Sequence, residues 1–203
     1  TNALDFAFNS TEKTLKYMIT GGELELKFFL GDKYPDTAIK LYHNYINKWT
    51  LMPFWSFGYH QSRWGYMYLQ DLVDVVNNMT HHKLPLDVIW SDIDYMDNFT
   101  DFTVDYDRYD LAEFRNLLDR VRWVPIIDAG VFINYTTPAF IVGTEYDVWI
   151  RSARNHSNYL VGVVWPGMVH WPDWLHPNAS KYWGEMLSLL YSYVPFSGIW
   201  IDM

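Results

Sequence analysis

Hydrophobic and polar positions follow alternating strand and helix periods from Leu51 to the last residue of the chain. Short runs rich in β-branched and aromatic residues predict strands, and apolar residues spaced three or four apart predict helices between them. The predicted strands are FWSFGYH, LDVIWSDIDYM, WVPIIDAG and GIWIDM, and the predicted helices are MYLQDLVDVVNNM, LAEFRNLLDRV and NASKYWGEMLSLLYSYV. Strands separated by helices form parallel βα units. Strand interiors that are apolar on both sides indicate that both faces of the sheet are covered.

The N-terminal part of the chain has a different pattern. In residues 1–34, KTLKYMIT and the alternating segment ELELKFFLG flank a GG turn, which predicts a hairpin at the end of a sheet domain. The sequence Tyr34-Pro35-Asp36, followed by apolar residues at helical spacing, predicts a linking helix over residues 35–50. Residues 51–203 then contain the βα units.

Acidic residues stand at the ends of three consecutive predicted strands. They are Asp92 with Asp94, then Asp128, then Asp202. In a (β/α)8 barrel the carboxyl ends of the strands surround the active site, so these carboxylates are expected to converge at one mouth. The alternative, an open doubly wound sheet, is typically marked by a glycine-rich phosphate loop after the first strand, which this sequence lacks. Because a complete barrel needs eight strands, four predicted strands indicate half a barrel.

The chemistry of these carboxylates has several interpretations. Strand alternation places Asp92 and Asp94 on one face unless a bulge re-aims one of them. Two like charges on one face need hydroxyl groups or a cation nearby. That suits a polyol ligand better than a divalent metal, and a solvated loop or an ion pair with Arg63 is the structural alternative. Asp202 ends an apolar strand, so it is either the nucleophile of a retaining glycosidase or a helix-capping residue of a βα loop.

Composition favours a neutral partner. The 203 residues include 11 Trp, 16 Tyr and 12 Phe, whose flat faces stack on sugar rings or simply fill a core. The formal net charge of -9 and the lack of a Lys/Arg cluster argue against nucleic acid or an anionic membrane surface as a partner. No apolar window of about 18 residues predicts a transmembrane span. The chain has no cysteine, which excludes disulfides and thiolate metal sites within it.

Six N-x-[ST] sequons favour a glycoprotein of the secretory pathway, whether lysosomal, extracellular or in the ER lumen. An Asn- and Thr-rich composition that is never glycosylated is the alternative explanation. The six candidate glycosylation sites are Asn9, Asn78, Asn98, Asn134, Asn155 and Asn178.

Several motifs, in order, resemble those of the α-glucosidases of glycoside hydrolase family 31. They are MPFWSFGYHQSRWGY, PLDVIWSDIDYMDNFTDFTVD, GVVWPG with WPDW, and VPFSGIWIDM. The resemblance extends over roughly residues 23 to 203 and implies an α/β fold, the first half of a (β/α)8 TIM barrel preceded by the end of an N-terminal β-sandwich domain. It implies a retaining exo-α-glucosidase that releases terminal nonreducing glucose from maltose-like oligosaccharides without a cofactor.

The resemblance also implies roles for individual residues. Asp202 would be the nucleophile that forms a covalent glycosyl-enzyme intermediate, and Asp92 would bind hydroxyl groups of the nonreducing-end glucose. The other residues implied at that subsite are Trp64, Ile93, Val131, Trp165, Trp200 and Met203. Val131 stands where Ile is usual, IDAGVF departs from V-D-P-x-I, and WPGMVHWPDW is bulky where small residues are common, so fine specificity stays open.

The retaining mechanism needs a second carboxyl group about 5 Å from the nucleophile. In the family this acid/base residue comes from a later barrel strand, so we expect it to be absent from this chain. We therefore expect the chain alone to be inactive, and poorly stable because half a barrel exposes sheet edges. The alternative functions are an ER glycan-processing glucosidase II, an α-xylosidase of the same family, and a catalytically inactive sugar-binding homologue.

Overall fold

The computed structural model of the chain describes residues 4–19 and 24–202, which form two compact units. The first unit, Thr1–Leu51, contains an antiparallel hairpin of β1 (Leu4–Asn9) and β2 (Thr14–Ile19) and the helix α1 (Pro35–Tyr45). A proline at the first turn suits α1, because the N–H groups there have no partner within the helix.

Two expectations for this unit differ from the structure. The strand Thr14–Ile19 pairs with the preceding strand instead of with residues 24–30, which are described but form no strand. The predicted GG turn lies outside the described residues. A helix begins at Pro35 as predicted, but it ends at Tyr45 instead of near residue 50.

The second unit, Met52–Met203, is built from parallel βα units. Its strands are β3 (His60–Gln61), β4 (Val88–Ser91), β5 (Arg122–Asp128), β6 (Val131–Phe132), β7 (Gly162–Val164), β8 (Gly167–His170) and β9 (Trp200–Asp202). Its α-helices are α2 (Leu69–His81), α3 (Leu111–Leu117), α4 (Pro138–Glu145) and α5 (Ala179–Tyr193). Strands β3, β4, β5 and β9 form one parallel sheet in that order, and a helix lies in every crossover. The half-barrel sheet predicted from the sequence is confirmed.

The first predicted barrel strand is shorter than expected. Phe54–Phe57 forms a 3-10 helix, and only His60 and Gln61 pair with β4. Two more 3-10 helices, Ile93–Tyr95 and Asp97–Phe99, follow β4.

The core of this unit lies between the sheet and its helices. The ring of Trp123 on β5 lies 4.7 Å from that of Phe114 on α3 and 5.3 Å from that of Tyr95, measured between centroids. Its Nε1 donates a hydrogen bond to Oγ of Ser91 on β4, at 2.9 Å. Because side chains alternate across a strand, Ser91 and Trp123 mark the helix-facing side. Trp90 and Asp128 therefore belong to the opposite side, called the inner face below.

Local sequence explains where the helices form. The Oδ1 atom of Asp110 accepts hydrogen bonds from the N–H groups of Ala112 and Glu113, which fixes the start of α3. On α5, Tyr182 and Met186 are buried four residues apart, as expected for one face of an amphipathic helix. Of the helices that the structure describes, none is long and apolar enough to cross a membrane.

An insertion between β5 and β9 was not predicted from the sequence. It contains α4 and a three-stranded antiparallel sheet in the order β6-β8-β7. Trp149 packs against α4 so closely that a Cβ atom on Gly143 would lie 2.2 Å from its ring. The insertion lies between the two strands that carry Asp128 and Asp202, so it belongs to the carboxyl-end loops of the sheet.

Candidate active site

Three carboxylates lie at the carboxyl ends of neighbouring parallel strands. Asp128 is the last residue of β5 and is in register with Asp202 on β9. Asp92 directly follows Ser91, the last residue of β4. Strand alternation places Asp128 and Asp202 on the inner face of the sheet, and the charge of Asp92 interacts with both of them. The structure thus brings together the strand-end carboxylates that the sequence pattern placed at one mouth.

The three groups interact electrostatically. Burial raises the pKa of Asp128 to about 6, and the charges of Asp202 and then Asp92 add to the increase. Burial also raises the pKa of Asp92, with smaller contributions from Asp94 and Asp202, against the N–H of Ile93, which donates to its Oδ1 at 2.8 Å. A cluster of this kind offers hydrogen-bond acceptors to the hydroxyl groups of a polyol.

A fourth carboxyl group, that of Asp101, lies against the backbone of Asp128. Its Oδ1 accepts the N–H of Asp128 at 2.8 Å, and its side chain is 2% exposed. Oδ2 of Asp101 and Oδ1 of Asp128 are both buried and have no hydrogen-bond partner among the described residues. Burial raises the pKa of Asp101 well above its usual range. The sequence analysis did not identify Asp101, because nothing in the pattern indicates its contact with Asp128.

Asp94 lies beyond the end of strand β4, so the alternation expected from the sequence does not extend to it. Strand β4 ends at Ser91, and the 3-10 helix that follows turns Asp94 into the protein, where it is buried. Its Oδ2 accepts the N–H of Gly65 at 2.8 Å. Asp94 therefore anchors the loop that carries the neighbouring Trp64.

The remaining residues implied for the sugar subsite differ in accessibility. Trp64 is 65% exposed and Trp165 is 48% exposed, whereas Trp200 is half-buried on the inner face. The ring of Trp165 lies 5.6 Å from that of Phe99, between centroids. Ile93 and Val131 are buried in the described structure, and Met203 lies outside the described residues.

A cavity of about 550 Å³ adjoins the ends of β5 and β9. It is lined by Ile127, Asp128, Ala129, Trp174, Trp183, Ile201 and Asp202. The rings of Trp174 and Trp183 meet edge to face at 4.8 Å between centroids, so Trp174 of the WPDW motif forms part of an aromatic wall. Within residues 4–19 and 24–202, no group of three or more His, Cys, Asp or Glu side chains is arranged to hold a metal ion.

Comparisons with known proteins agree on one family. The model of the glycosyl hydrolases family 31 TIM-barrel domain matches residues 49–203. The lysosomal acid alpha-glucosidase of Tetrahymena pyriformis is 46% identical over 205 residues, which are 97% of this chain and 22% of the relative. The alpha-glucosidase of Hordeum vulgare is 39% identical over 210 residues, which are 100% of this chain and 23% of the relative. The chain thus spans less than a quarter of the length of these relatives.

A solved structure supports the same conclusion. The DNJ-bound glucosidase II alpha subunit superimposes with a TM-score of 0.67 and 30% identity, over 73% of this chain and 16% of that one.

Proposed function

The chain belongs to glycoside hydrolase family 31, and on this premise we propose that it is part of a retaining exo-α-glucosidase. Its substrates are maltose-like α-linked oligosaccharides, from which it releases the terminal nonreducing glucose. The observation that carries this proposal is the convergence of Asp92, Asp128 and Asp202 at the carboxyl ends of the strands. Relatives named α-glucosidases at 46% and 39% identity support the same substrate class.

We assign the nucleophile to Asp202. A nucleophile must reach the anomeric carbon, and the side chain of Asp128 is only 3% exposed, whereas Asp202 stands in the VPFSGIWIDM segment that resembles the nucleophile motif of the family. Asp202 forms a bond to the anomeric carbon while the bond from that carbon to the leaving oxygen breaks, and water later hydrolyses the ester. A second carboxyl group donates its proton to the leaving oxygen and then removes a proton from the water. In this family the second group follows a later barrel strand, so we place it outside this chain.

The other site residues bind and orient the sugar. Asp92 accepts hydrogen bonds from glucose hydroxyl groups, and its partial burial strengthens those bonds. Trp64, Trp165 and Trp200 offer aromatic faces to the sugar ring. The buried Ile93 and Val131 shape the subsite through packing, and Met203 follows the nucleophile in sequence.

The organisation of the chain follows from the family. We propose that residues 1–34 end an N-terminal β-sandwich domain, that 35–50 link it to the barrel, and that 51–203 form the first half of that barrel. The chain alone is then inactive, because it lacks the acid/base group.

Localisation in the secretory pathway is part of the same proposal. One relative is named lysosomal, and the matched glucosidase II structures include one titled as an ER enzyme complex. Five of the six sequon asparagines are exposed in the structure, Asn98 and Asn155 among them, and Asn134 is partly buried. Glycan mapping of protein from its native source tests this: occupied Asn98 or Asn155 supports the proposal, and six unoccupied sequons contradict it.

The experiment that tests the function uses the full-length protein that contains this sequence. After incubation with 5-fluoro-α-glucosyl fluoride and digestion, mass spectrometry identifies the labelled peptide. A label on Asp202 that is lost in Asp202→Asn and kept in Asp107→Asn, an exposed control, is the expected result. Hydrolysis of maltose with a label on another residue would refute the assignment of the nucleophile. Glucose binding without label or hydrolysis would instead indicate an inactive sugar-binding homologue, and preference for α-xylosides an α-xylosidase.

A further inference from the structure

A series of aromatic side chains joins the first barrel strand to the candidate nucleophile across the inner face. Nε1 of Trp90, on β4, donates a hydrogen bond to Nδ1 of His60, on β3, at 3.0 Å. The ring of Trp90 lies 5.9 Å from that of Trp200, on β9, between centroids. Trp200 stands two residues before Asp202, so both side chains are on the same face of β9. The contacts therefore extend from one end of the parallel sheet to the other.

His60 is held on its far side as well. Its Nε2 lies 3.4 Å from the carbonyl oxygen of Trp55, and its ring stacks on that of Trp55 at 6.1 Å with an angle of 26° between the planes. Because Nδ1 accepts a hydrogen bond from Trp90, the ring carries its proton on Nε2 and donates it towards Trp55. Both ring nitrogens are thus engaged, and rotation of the imidazole would break both contacts.

We propose that His60 and Trp90 are positioning residues that fix the indole of Trp200, and through it the orientation of the sugar ring that Asp202 attacks. Neither residue touches the substrate. If Trp90 turned away from Trp200, its N–H would lose its acceptor, Nδ1 of His60. That loss is unfavourable because the indole is half-buried. Small displacements at a reacting centre have large effects on rate, because attack requires aligned atoms at short range. This inference rests on the proposed function.

A matched control exists on the other side of the same strands. Nε1 of Trp123 donates to Oγ of Ser91 at 2.9 Å, the same kind of bond on the helix-facing side, and Ser91 is adjacent to Trp90 in sequence. Ser91→Ala deprives a tryptophan N–H of its acceptor without changing the inner face. If His60 only stabilised the fold, the loss of either hydrogen bond would have the same effects on thermal stability and on activity.

The experiment compares three variants of the full-length protein. His60→Phe keeps a ring to stack on Trp55 but removes the acceptor, His60→Asn returns a carbonyl oxygen near the position of Nδ1, and Ser91→Ala is the control. Thermal midpoints, kcat and KM on maltose are measured for each. We expect similar losses of thermal stability for H60F and S91A. The value of kcat/KM should fall roughly 10-fold or more in H60F, mainly through kcat, stay within about 2-fold in S91A, and largely recover in H60N.

Other results overturn the inference. These are an H60F variant that loses stability but keeps kcat/KM, or one that loses no more activity than S91A. If H60F does not fold, Trp90→Phe removes the donor of the same hydrogen bond, and the same difference from S91A is required.

Failure of the proposed function is recognised in the wild type. A wild-type protein that binds deoxynojirimycin but hydrolyses no α-glucoside is not a glucosidase. The inference is then decided by whether the Kd for deoxynojirimycin rises in H60F and not in S91A. A wild type that neither binds nor hydrolyses refutes both.

Discussion

Replacing Asp128 with Asn is expected to stabilise the full-length protein at neutral pH more than at acidic pH. Burial, followed by the charges of Asp202 and Asp92, raises the pKa of Asp128 from 3.8 to about 6. Between these values the folded state holds a proton that the unfolded chain has released. Because a raised folded-state pKa favours the protonated fold, wild-type stability falls as pH rises through this range. Asn does not titrate, so the variant lacks this part of the loss.

The magnitude follows from the shift. A pKa increase from 3.8 to about 6 is roughly 2 units, and at 1.36 kcal/mol per unit it corresponds to at most about 3 kcal/mol of unfolding free energy. The advantage of D128N over the wild type should be smallest near pH 4, grow up to pH 6 and be constant above pH 7. Solvent that reaches the mouth screens the neighbouring charges and lowers the plateau below this value.

The assay is denaturant unfolding at constant ionic strength from pH 4.5 to 7.5. Asp101→Asn provides an internal comparison: because burial raises the pKa of Asp101 well above its usual range, the advantage of this variant should also grow as the pH rises above 3.8, the ordinary value of the carboxyl group. Asp107→Asn, on the exposed surface, is the control for removal of a charge. A difference between D128N and wild type that does not change with pH would refute the reasoning, since it would mean that Asp128 is ionised in the fold throughout.

Three further predictions concern the nucleophile and the packing. Asp202→Asn should lower kcat on maltose by roughly 10⁴-fold or more without lowering the thermal midpoint, because it removes a charge that repels Asp128 and Asp92; retention of activity would exclude Asp202 as nucleophile. Gly143→Ala should destabilise by about 1–3 kcal/mol, because its Cβ would lie 2.2 Å from the ring of Trp149, and calorimetry would show the lower midpoint. Asp110→Ala should cost about 1 kcal/mol through loss of the α3 N-cap, and Asp110→Ser should restore most of it in the same measurement.

The half-barrel was predictable because its signals are local and strong. Strand β5 is buried at six of its seven positions, so its apolar run distinguishes it from a half-exposed strand. The inserted sheet was missed because its strands are too short to show an alternation of apolar and polar residues. Strands β6, β7 and β8 have only two to four residues each, and β7 and β8 each include a glycine. The strand predicted over FWSFGYH is only partly present for a related reason. An apolar run of this length is equally compatible with the 3-10 helix Phe54–Phe57.

The candidate site was predictable only as far as strand ends determine it. Parallel pairing puts Asp128 and Asp202 at equivalent positions, and this follows from the order of the elements. Alternation could not predict the orientation of Asp94, because it holds only within a strand and β4 ends at Ser91. The contact between Asp101 and Asp128 joins residues 27 positions apart through an irregular loop, which no periodicity encodes.

Two identical side chains at equivalent ends of adjacent strands have different chemistry here. Asp128, on an inner strand of the described sheet, is covered by the loop that carries Asp101, and burial holds its proton to about pH 6. Asp202, at the equivalent position of the neighbouring strand, is the residue that we propose as the nucleophile, and its charge adds to the increase in the pKa of Asp128. Sequence motifs can place both carboxylates at the mouth, but they do not determine how deeply each one is buried. Accessibility depends on the loop that packs over the strand, and therefore on tertiary contacts.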